Sequence, residues 1–324
     1  IGAALIGPTV KGPSGIPTVV QSYSEFQQAF GDTFKSGSSY YQYLTSYTAR
    51  EYLKHGSNLT VVRILDGDYG PASSRVPVGR YDGTYWTGSV TTSADWQANN
   101  SASFTLYTLA DGALMNNTTG SNGWEGTSVG NNNVLTDSGS KDNVRWEISS
   151  QSPKKGTFTL LIRRGDDNIK RKQTLETWNN VSLDPNSTNY IAKLIGDQKW
   201  TIKDSGTSSP FLQLSGSYVN KSKYIRVEVN SPTVDYLDEN GNIRVSSSTA
   251  SLPGLNSGSF TGGSVGYAGI DSLGNAVGSQ TAAHNFYDSI TDTNSQGFNL
   301  ATANQGKTAY EDAINLLSNQ DEYD

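Results

Sequence analysis

Cysteine is absent and histidine occurs only twice, at His55 and His284, so the soft-ligand metal constellations and the Cys/His nucleophile systems are excluded at the outset. The missing cysteine also argues against a small secreted domain held by disulfides. Basic residues are few. There are 24 Lys and Arg against 30 Asp and Glu, a net charge of −6, so no global positive field exists to hold a polyphosphate backbone and nucleic acid is not expected as a partner. Long apolar runs are lacking too. Ala3-Ala4-Leu5-Ile6 and Leu160-Leu161-Ile162 fall far short of the roughly 20 residues a membrane-spanning helix needs, and membrane insertion is not expected.

What is present is length, glycine and a polar β-type vocabulary. At 324 residues the chain sits where single cores stop growing, so two or more packed units are expected and neither staples nor metals are needed to stabilise them.

The opening reads as α/β. Ala3-Ala4-Leu5-Ile6-Gly7-Pro8 is a short strand closed by a breaker, and Thr18-Val19-Val20 is a second. Ser24, with Gln27 three residues on, is a capping-box start for a short helix ending at Gly31. Over residues 38–54, Tyr40, Tyr43, Leu44 and Tyr47 fall at i, i+3, i+4, i+7 before Gly56, which predicts one long helix with its aromatic stripe turned inward. Leu59-Thr60-Val61-Val62-Arg63-Ile64-Leu65 then has the β-branched, apolar character of a central strand.

After residue 66 the composition shifts to Ser, Thr, Asn and Gly, and strands are expected at 103–107, 143–148, 156–164 and 172–183. Gly165-Asp166-Asp167 makes a turn, a short helix covers 189–194 up to Gly196, and strands resume at Trp200. Asn240-Gly241 is the strongest hairpin signal in the chain. Residues 246–306 read as long loops with a short helix near 282–290. Tyr310, Ala313, Ile314 and Leu317 then predict an amphipathic helix over 308–317.

The expected fold class is therefore α+β and multidomain, with mainly β insertion domains of barrel or sandwich type on a small discontinuous α/β unit. Residues 1–66 and about 290–324 would form that unit. Residues 67–140 would be a β-rich insertion, 141–250 a β-rich subdomain with a short helix, and 251–289 a loop-rich connection.

The candidate sites each have a plainer reading. His55 stands at a helix C-terminus, where a histidine complements the dipole, and His284 lies in a polar Ala-His-Asn context with no acidic or nucleophilic motif beside it. Asp66 and Asp68, and the group Asp235, Asp238 and Glu239, lack the twelve-residue calcium-loop spacing with its closing Glu. Thr261-Gly262-Gly263-Ser264-Val265-Gly266 has neither the Lys nor the preceding strand of a phosphate loop. Arg163-Arg164-Gly165-Asp166-Asp167 contains an Arg-Gly-Asp triplet that a hairpin tip explains. The tryptophans Trp86, Trp96, Trp124, Trp146, Trp178 and Trp200 are either sugar-stacking platforms or core fillers, and core packing is favoured because Trp146 and Trp178 lie within alternating strands. No catalytic, cofactor-binding or metal-binding residue is assigned, and an enzyme is not expected.

Two stretches resemble a known family. Gly2-Ala3-Ala4-Leu5-Ile6-Gly7-Pro8, Gly12-Pro13, the run from Pro17 through Tyr23-Ser24-Glu25-Phe26, Phe30-Gly31 and Leu59-Thr60-Val61-Val62-Arg63-Ile64 resemble in order and spacing the N-terminal core of contractile-phage tail sheath proteins. The stretch from Phe158 to Gly196, with Leu183-Asp184-Pro185-Asn186-Ser187, is similar to a subdomain of sheath proteins from large tailed phages.

The resemblance implies a structural subunit of the virion tail, assembled in the host cytoplasm. It would stack helically around the tail tube and contract to drive the tube through the host envelope during genome ejection. The implied partners are neighbouring copies of the full-length subunit and, through parts outside this chain, the tail tube and baseplate. The chain itself is expected to be a monomeric fragment lacking the family's N-terminal arm and C-terminal domain. A carbohydrate-binding or adhesin-like β module of a virion is the alternative.

Overall fold

The computed structural model describes residues 2–36, 39–65, 70–78, 80–81, 86–87, 102–112, 143–167, 170–244, 252–260, 262–263, 291 and 305–319. In chain order the elements are β1 (Ala3–Gly7), β2 (Thr18–Val20), α1 (Tyr23–Phe30), β3 (Thr33–Ser36), β4 (Ser39–Gln42), α2 (Leu44–Leu53) and β5 (Leu59–Arg63). There follow β6 (Pro71–Pro77), β7 (Arg80–Tyr81), β8 (Trp86–Thr87), β9 (Ala102–Asp111), β10 (Val144–Ser152), β11 (Thr157–Arg164) and β12 (Thr174–Ser182). The chain continues through α3 (Ile191–Ile195), β13 (Lys199–Lys203), β14 (Phe211–Ser215), β15 (Ile225–Val229), β16 (Asn256–Ser259) and α4 (Gln305–Leu317). The fold class is α+β and β-rich, as expected.

The opening residues build a three-stranded sheet in the order β1-β5-β2, with β1 parallel and β2 antiparallel to the central β5. A central strand is covered on both faces, which is why Leu59, Val61 and Val62 are apolar and fully buried. Phe26 and Phe30, one turn apart on α1, have ring centroids 5.4 Å apart and fill the core beside Val20, Ala49, Leu59 and Val61.

Three expectations for this region are corrected. The N-cap of α1 is Ser22, not Ser24: its Oγ accepts from the Glu25 N–H at 3.2 Å, while the Glu25 carboxylate accepts from the Gln21 N–H at 2.8 Å. The long helix over 38–54 is split, because β3 and β4 pair as a hairpin and α2 begins only at Leu44. The aromatic stripe does not face inward: Tyr43 is buried, but Tyr40, Leu44 and Tyr47 are exposed, and α2 instead buries Thr45, Ser46 and Ala49. Small residues win that face because the helix lies close over β1, where a Cβ at Gly7 would strike the Thr45 hydroxyl. Ser22→Ala should lower stability by about 1 kcal/mol, and Ser24→Ala should leave it unchanged, as read from urea-unfolding midpoints.

The β-rich part is two facing sheets. One runs β15-β9-β6 and the other β12-β11-β10-β16, all antiparallel. Their inner faces share one core: Val76, Phe104, Leu106, Ile225 and Val227 from the first meet Trp146, Ile148, Phe158, Leu160, Ile162 and Val181 from the second. Phe104 stacks on Phe158 across the interface at 5.6 Å. Trp146 is fully buried and its indole N–H donates to the Ser74 hydroxyl at 2.7 Å, which ties the sheets with the one polar atom the ring carries. Its paired residue on β16 is Gly258, where any Cβ would lie 2.5 Å from the ring. This strand falls inside the stretch expected to be loops, and its Asn-Ser-Gly-Ser composition hides it from a propensity reading.

The short helix α3 closes one end of this core through Ile191, Ala192 and Ile195 and stops at Gly196, as expected. At Asn240-Gly241 the turn forms, with the Gly241 N–H bonded to the Asp238 carbonyl, but it joins a single bridge between Leu237 and Ile243 rather than two strands. Helix α4 is present with its inward face turned from the expected one: Asp312, Ala313 and Leu316 are buried while Ile314 is exposed. The helix expected near 282–290 lies outside the described residues.

Candidate functional site

The opening α/β unit and the β-rich part meet at Arg63, the last residue of β5. Its side chain is almost wholly buried, and its guanidinium donates to the carbonyls of Gly12 at 2.6 Å, Asp111 at 2.8 Å and Thr9 at 3.3 Å. Asp111 ends β9 and closes the knot from the other side. Its backbone N–H donates to the Gly12 carbonyl at 3.0 Å and its carboxylate accepts from the Ser14 N–H at 2.8 Å. Burial raises the Asp111 carboxyl above the ordinary aspartate range, while the Ser14 N–H and the Arg63 charge pull it back.

A groove of about 430 Å³ opens beside this knot. Pro13, Ile16, Pro17 and Val19 form one wall, Trp200 of β13 faces them, and Arg226 reaches the lining from β15. In the β13–β14 hairpin Trp200 pairs with Leu214 and Ile202 with Leu212, which puts all four on one face, and the Ile202 side chain lies over Gly15. The outer part of this surface is wet: Val19 is 60% exposed, Trp200 46% and Leu214 40%. The far end of the sequence holds the hairpin in place. Asp312 of α4 accepts from the Ser205 hydroxyl at 2.6 Å and the Gly206 N–H at 2.8 Å, and Asn315 donates to the Thr207 carbonyl at 3.2 Å. Since α4 also packs on β1, the hairpin, the first strand and the last described helix form one contiguous surface. An exposed apolar rim of this kind is a feature of surfaces that dock a partner.

A second cluster is buried at the edge of the sandwich. Arg163 makes a bidentate pair with Asp167 at 2.7 and 2.8 Å and reaches Glu147 at 2.8 Å, and Glu147 also accepts from Lys172 at 2.8 Å. Asp167 further accepts from the Gln173 N–H at 3.0 Å, and Arg145 lies 3.9 Å from its carboxylate. The turn expected at 165–167 is there, but Asp167 turns inward to hold these two arginines. Arg164 and Asp166 of the Arg-Gly-Asp triplet pair with each other instead, which leaves the triplet folded on itself.

The other singled-out residues are not brought together. His55 is exposed just past the end of α2, its backbone N–H on the Tyr52 carbonyl, as a helix-terminal histidine should be. Asp238 accepts from the Asn240 and Asn242 N–H groups, which hold its carboxyl below the usual range, and Asp235 takes the Asn186 side-chain amide, so this acidic group organises a turn. Among the described residues no three acidic or histidine side chains converge as metal ligands. His284, Asp66, Asp68, Thr261, Trp96 and Trp124 lie outside the described residues, as does the Trp86 side chain. Trp146 is core and Trp178 packs against it, as expected, whereas Trp200 lines the groove. Arg63, Asp111, Arg226 and Asp312 were not singled out by sequence. The one signal available was a lone arginine inside the apolar run Val61-Val62-Arg63-Ile64-Leu65.

No family model matches the chain, and no curated protein matches it. Among solved structures it is similar to the sheath tail protein Lin1278 from Listeria innocua, with a TM-score of 0.35 and 9% identity over 81% of this chain and 34% of that one. It is also similar to the sheath tail protein DSY3957 from Desulfitobacterium hafniense, with a TM-score of 0.32 and 8% identity over 84% of this chain and 36% of that one. The chain thus spans about a third of the length of each.

Proposed function

We propose that this chain is part of a tail sheath subunit of a contractile phage tail, a structural protein that works by packing against neighbouring copies and rearranging those contacts. The observation that carries the reading is the closure of one unit from both ends of the sequence. Helix α4 lies against β1 and grips the β13–β14 hairpin through Asp312, so the β-rich sheets are built out from a frame that begins and ends in the same place. The segments that carry the sequence resemblance, from Gly2 to Phe26 and from Leu59 to Ile64, supply the strands of that frame.

On this reading residues 1–66 with about 290–324 are the sheath-core unit, and 67–140, 141–250 and 251–289 are the outer regions. The subunit resides in the virion tail after assembly in the host cytoplasm. Contraction exchanges one set of intersubunit contacts for another of lower free energy, a small gain per subunit multiplied over many copies, and drives the tube through the host envelope for genome ejection. The tail tube and baseplate are engaged by parts of the full-length protein outside this chain, no catalysis is involved, and this chain alone is a monomer.

Cryo-electron microscopy of the parent particle tests this directly. Density for these residues repeating helically on the tail exterior is expected, and density at a fibre tip would overturn the sheath reading. Sedimentation of the isolated chain should give a single monomeric species. The exposed Trp200 ring favours one other reading, a carbohydrate-binding module. Against it, the neighbouring Asn220 amide is already spent on Gln198, its Oδ1 accepting the Gln198 N–H at 3.1 Å and its Nδ2 donating to the Gln198 carbonyl at 2.7 Å. Sugar-specific retention on an affinity gel, lost in Trp200→Ala, would favour the module.

A further inference from the structure

The groove beside Arg63 meets a second cavity of about 500 Å³, and the two share Arg226, Lys199 and Pro71 in their linings. Arg226 is only 9% exposed, and its guanidinium carbon sits 4.1 Å over the centre of the Tyr107 ring. That stacking satisfies one face of the cation but none of its five N–H donors. Among the described residues no carboxylate lies within ion-pair distance of it, although three stand around it and act through space.

Two of those three hold backbone N–H groups. Asp111 holds the Ser14 N–H, Asp197 holds the N–H groups of Ser217 at 2.8 Å and Tyr218 at 2.7 Å, and the Tyr107 hydroxyl, pushed up by burial, has Glu228 near enough to raise it further. Arg226 lines the cavity with no hydrogen bond from its guanidinium to a described residue, and its flat fork matches the two oxygens of a carboxylate. Lys199 brings a second positive charge to the wall of both cavities. Asp197 and Glu228 in the same lining offset the two cations, so a dianion is held less well there than a monoanion.

We propose that the cavity floored by Arg226 is a binding site for a single carboxylate group, held in bidentate fashion by the guanidinium with Lys199 beside it. The site does not depend on the sheath reading, since a free organic acid and an acidic side chain of another protein present the same group.

The test is an NMR titration of the isolated chain that follows the Arg226 Nε–H signal and the Val227 and Glu228 amides with acetate, against chloride at equal ionic strength and inorganic phosphate. Acetate should give a saturable shift that chloride does not, and phosphate should bind more weakly. Arg226→Lys keeps the charge but loses the fork, and should weaken acetate binding tenfold or more on the amide signals. Lys199→Met, a partly solvated position that leaves the buried arginine in place, should weaken it several-fold and serves where Arg226→Lys disturbs folding. An acetate response no different from chloride, or phosphate binding more tightly than acetate, overturns the proposal. A blocked glutamate, N-acetyl-glutamate α-amide, competing at lower concentration than acetate assigns the site to a protein side chain, and the reverse order assigns it to a free acid.

Discussion

Arg63→Met should destabilise the chain by about 3–5 kcal/mol, the range for removing one member of a buried charged network. The methionine fills most of the volume but leaves the Thr9 and Asp111 carbonyls without this donor and the Gly12 carbonyl with the Asp111 N–H alone. It also removes the positive charge that favours the ionised form of the buried Asp111 carboxylate.

The larger consequence is a loss of cooperativity. Arg63 is the last residue of the opening sheet and its contacts bind the loop after β1 to the end of β9, so with the Ser14–Asp111 bond it couples two distinct hydrophobic cores. No tryptophan precedes residue 67, and Trp146 and Trp178 belong to the sandwich core, so fluorescence is weighted to the β-rich part, while far-ultraviolet circular dichroism also senses α1 and α2. In urea the two probes should coincide for the wild-type chain and separate in Arg63→Met, with the dichroism change starting earlier. Coincident transitions shifted by less than about 1 kcal/mol would show that the junction does not carry this coupling.

Such a residue is hard to see in a sequence because its partners are far away in the chain: the carbonyls of Thr9, Gly12 and Asp111 are 54, 51 and 48 positions from Arg63. What could be read was local. The runs Thr18-Val19-Val20 and Leu59-Thr60-Val61-Val62 declare strands through β-branching, and Gly31 and Gly196 mark where helices stop. Periodicity misled where two faces competed. Tyr40, Tyr43, Leu44 and Tyr47 fit a helical stripe, yet the close approach of α2 to β1 demanded the small face of Thr45, Ser46 and Ala49, and Tyr40 and Tyr47 were left outside. In α4 the same contest placed Asp312 inward, because its carboxylate has the Ser205 hydroxyl and Gly206 N–H to receive it. The groove was invisible for a related reason: it is made where Pro13 to Val19, β13 and β15 converge, and none of the three is unusual alone.

Asp167→Leu should cost about 3–5 kcal/mol, again for leaving buried charge uncompensated, but with a different pattern across partner mutants. Asp167 accepts two N–H donors of the Arg163 fork and lies beside Arg145, so its removal leaves Arg163 with Glu147 alone and takes a carboxylate away from both buried guanidinium groups. Arg163→Met should cost less, because Asp167 keeps the Gln173 N–H and Arg145 as neighbours and Glu147 keeps Lys172. The double variant Arg163→Met with Asp167→Leu should therefore be more stable than Asp167→Leu alone, since a well-packed apolar pair removes the buried cation that Asp167→Leu leaves with one carboxylate in place of two. Salt is the discriminating control. A pair this deep is screened little by ions, so raising sodium chloride should leave the difference between wild type and Asp167→Leu nearly unchanged. If the double variant is instead as unstable as the sum of the singles, the cluster stabilises the sandwich through packing at the edge of β11 rather than through charge.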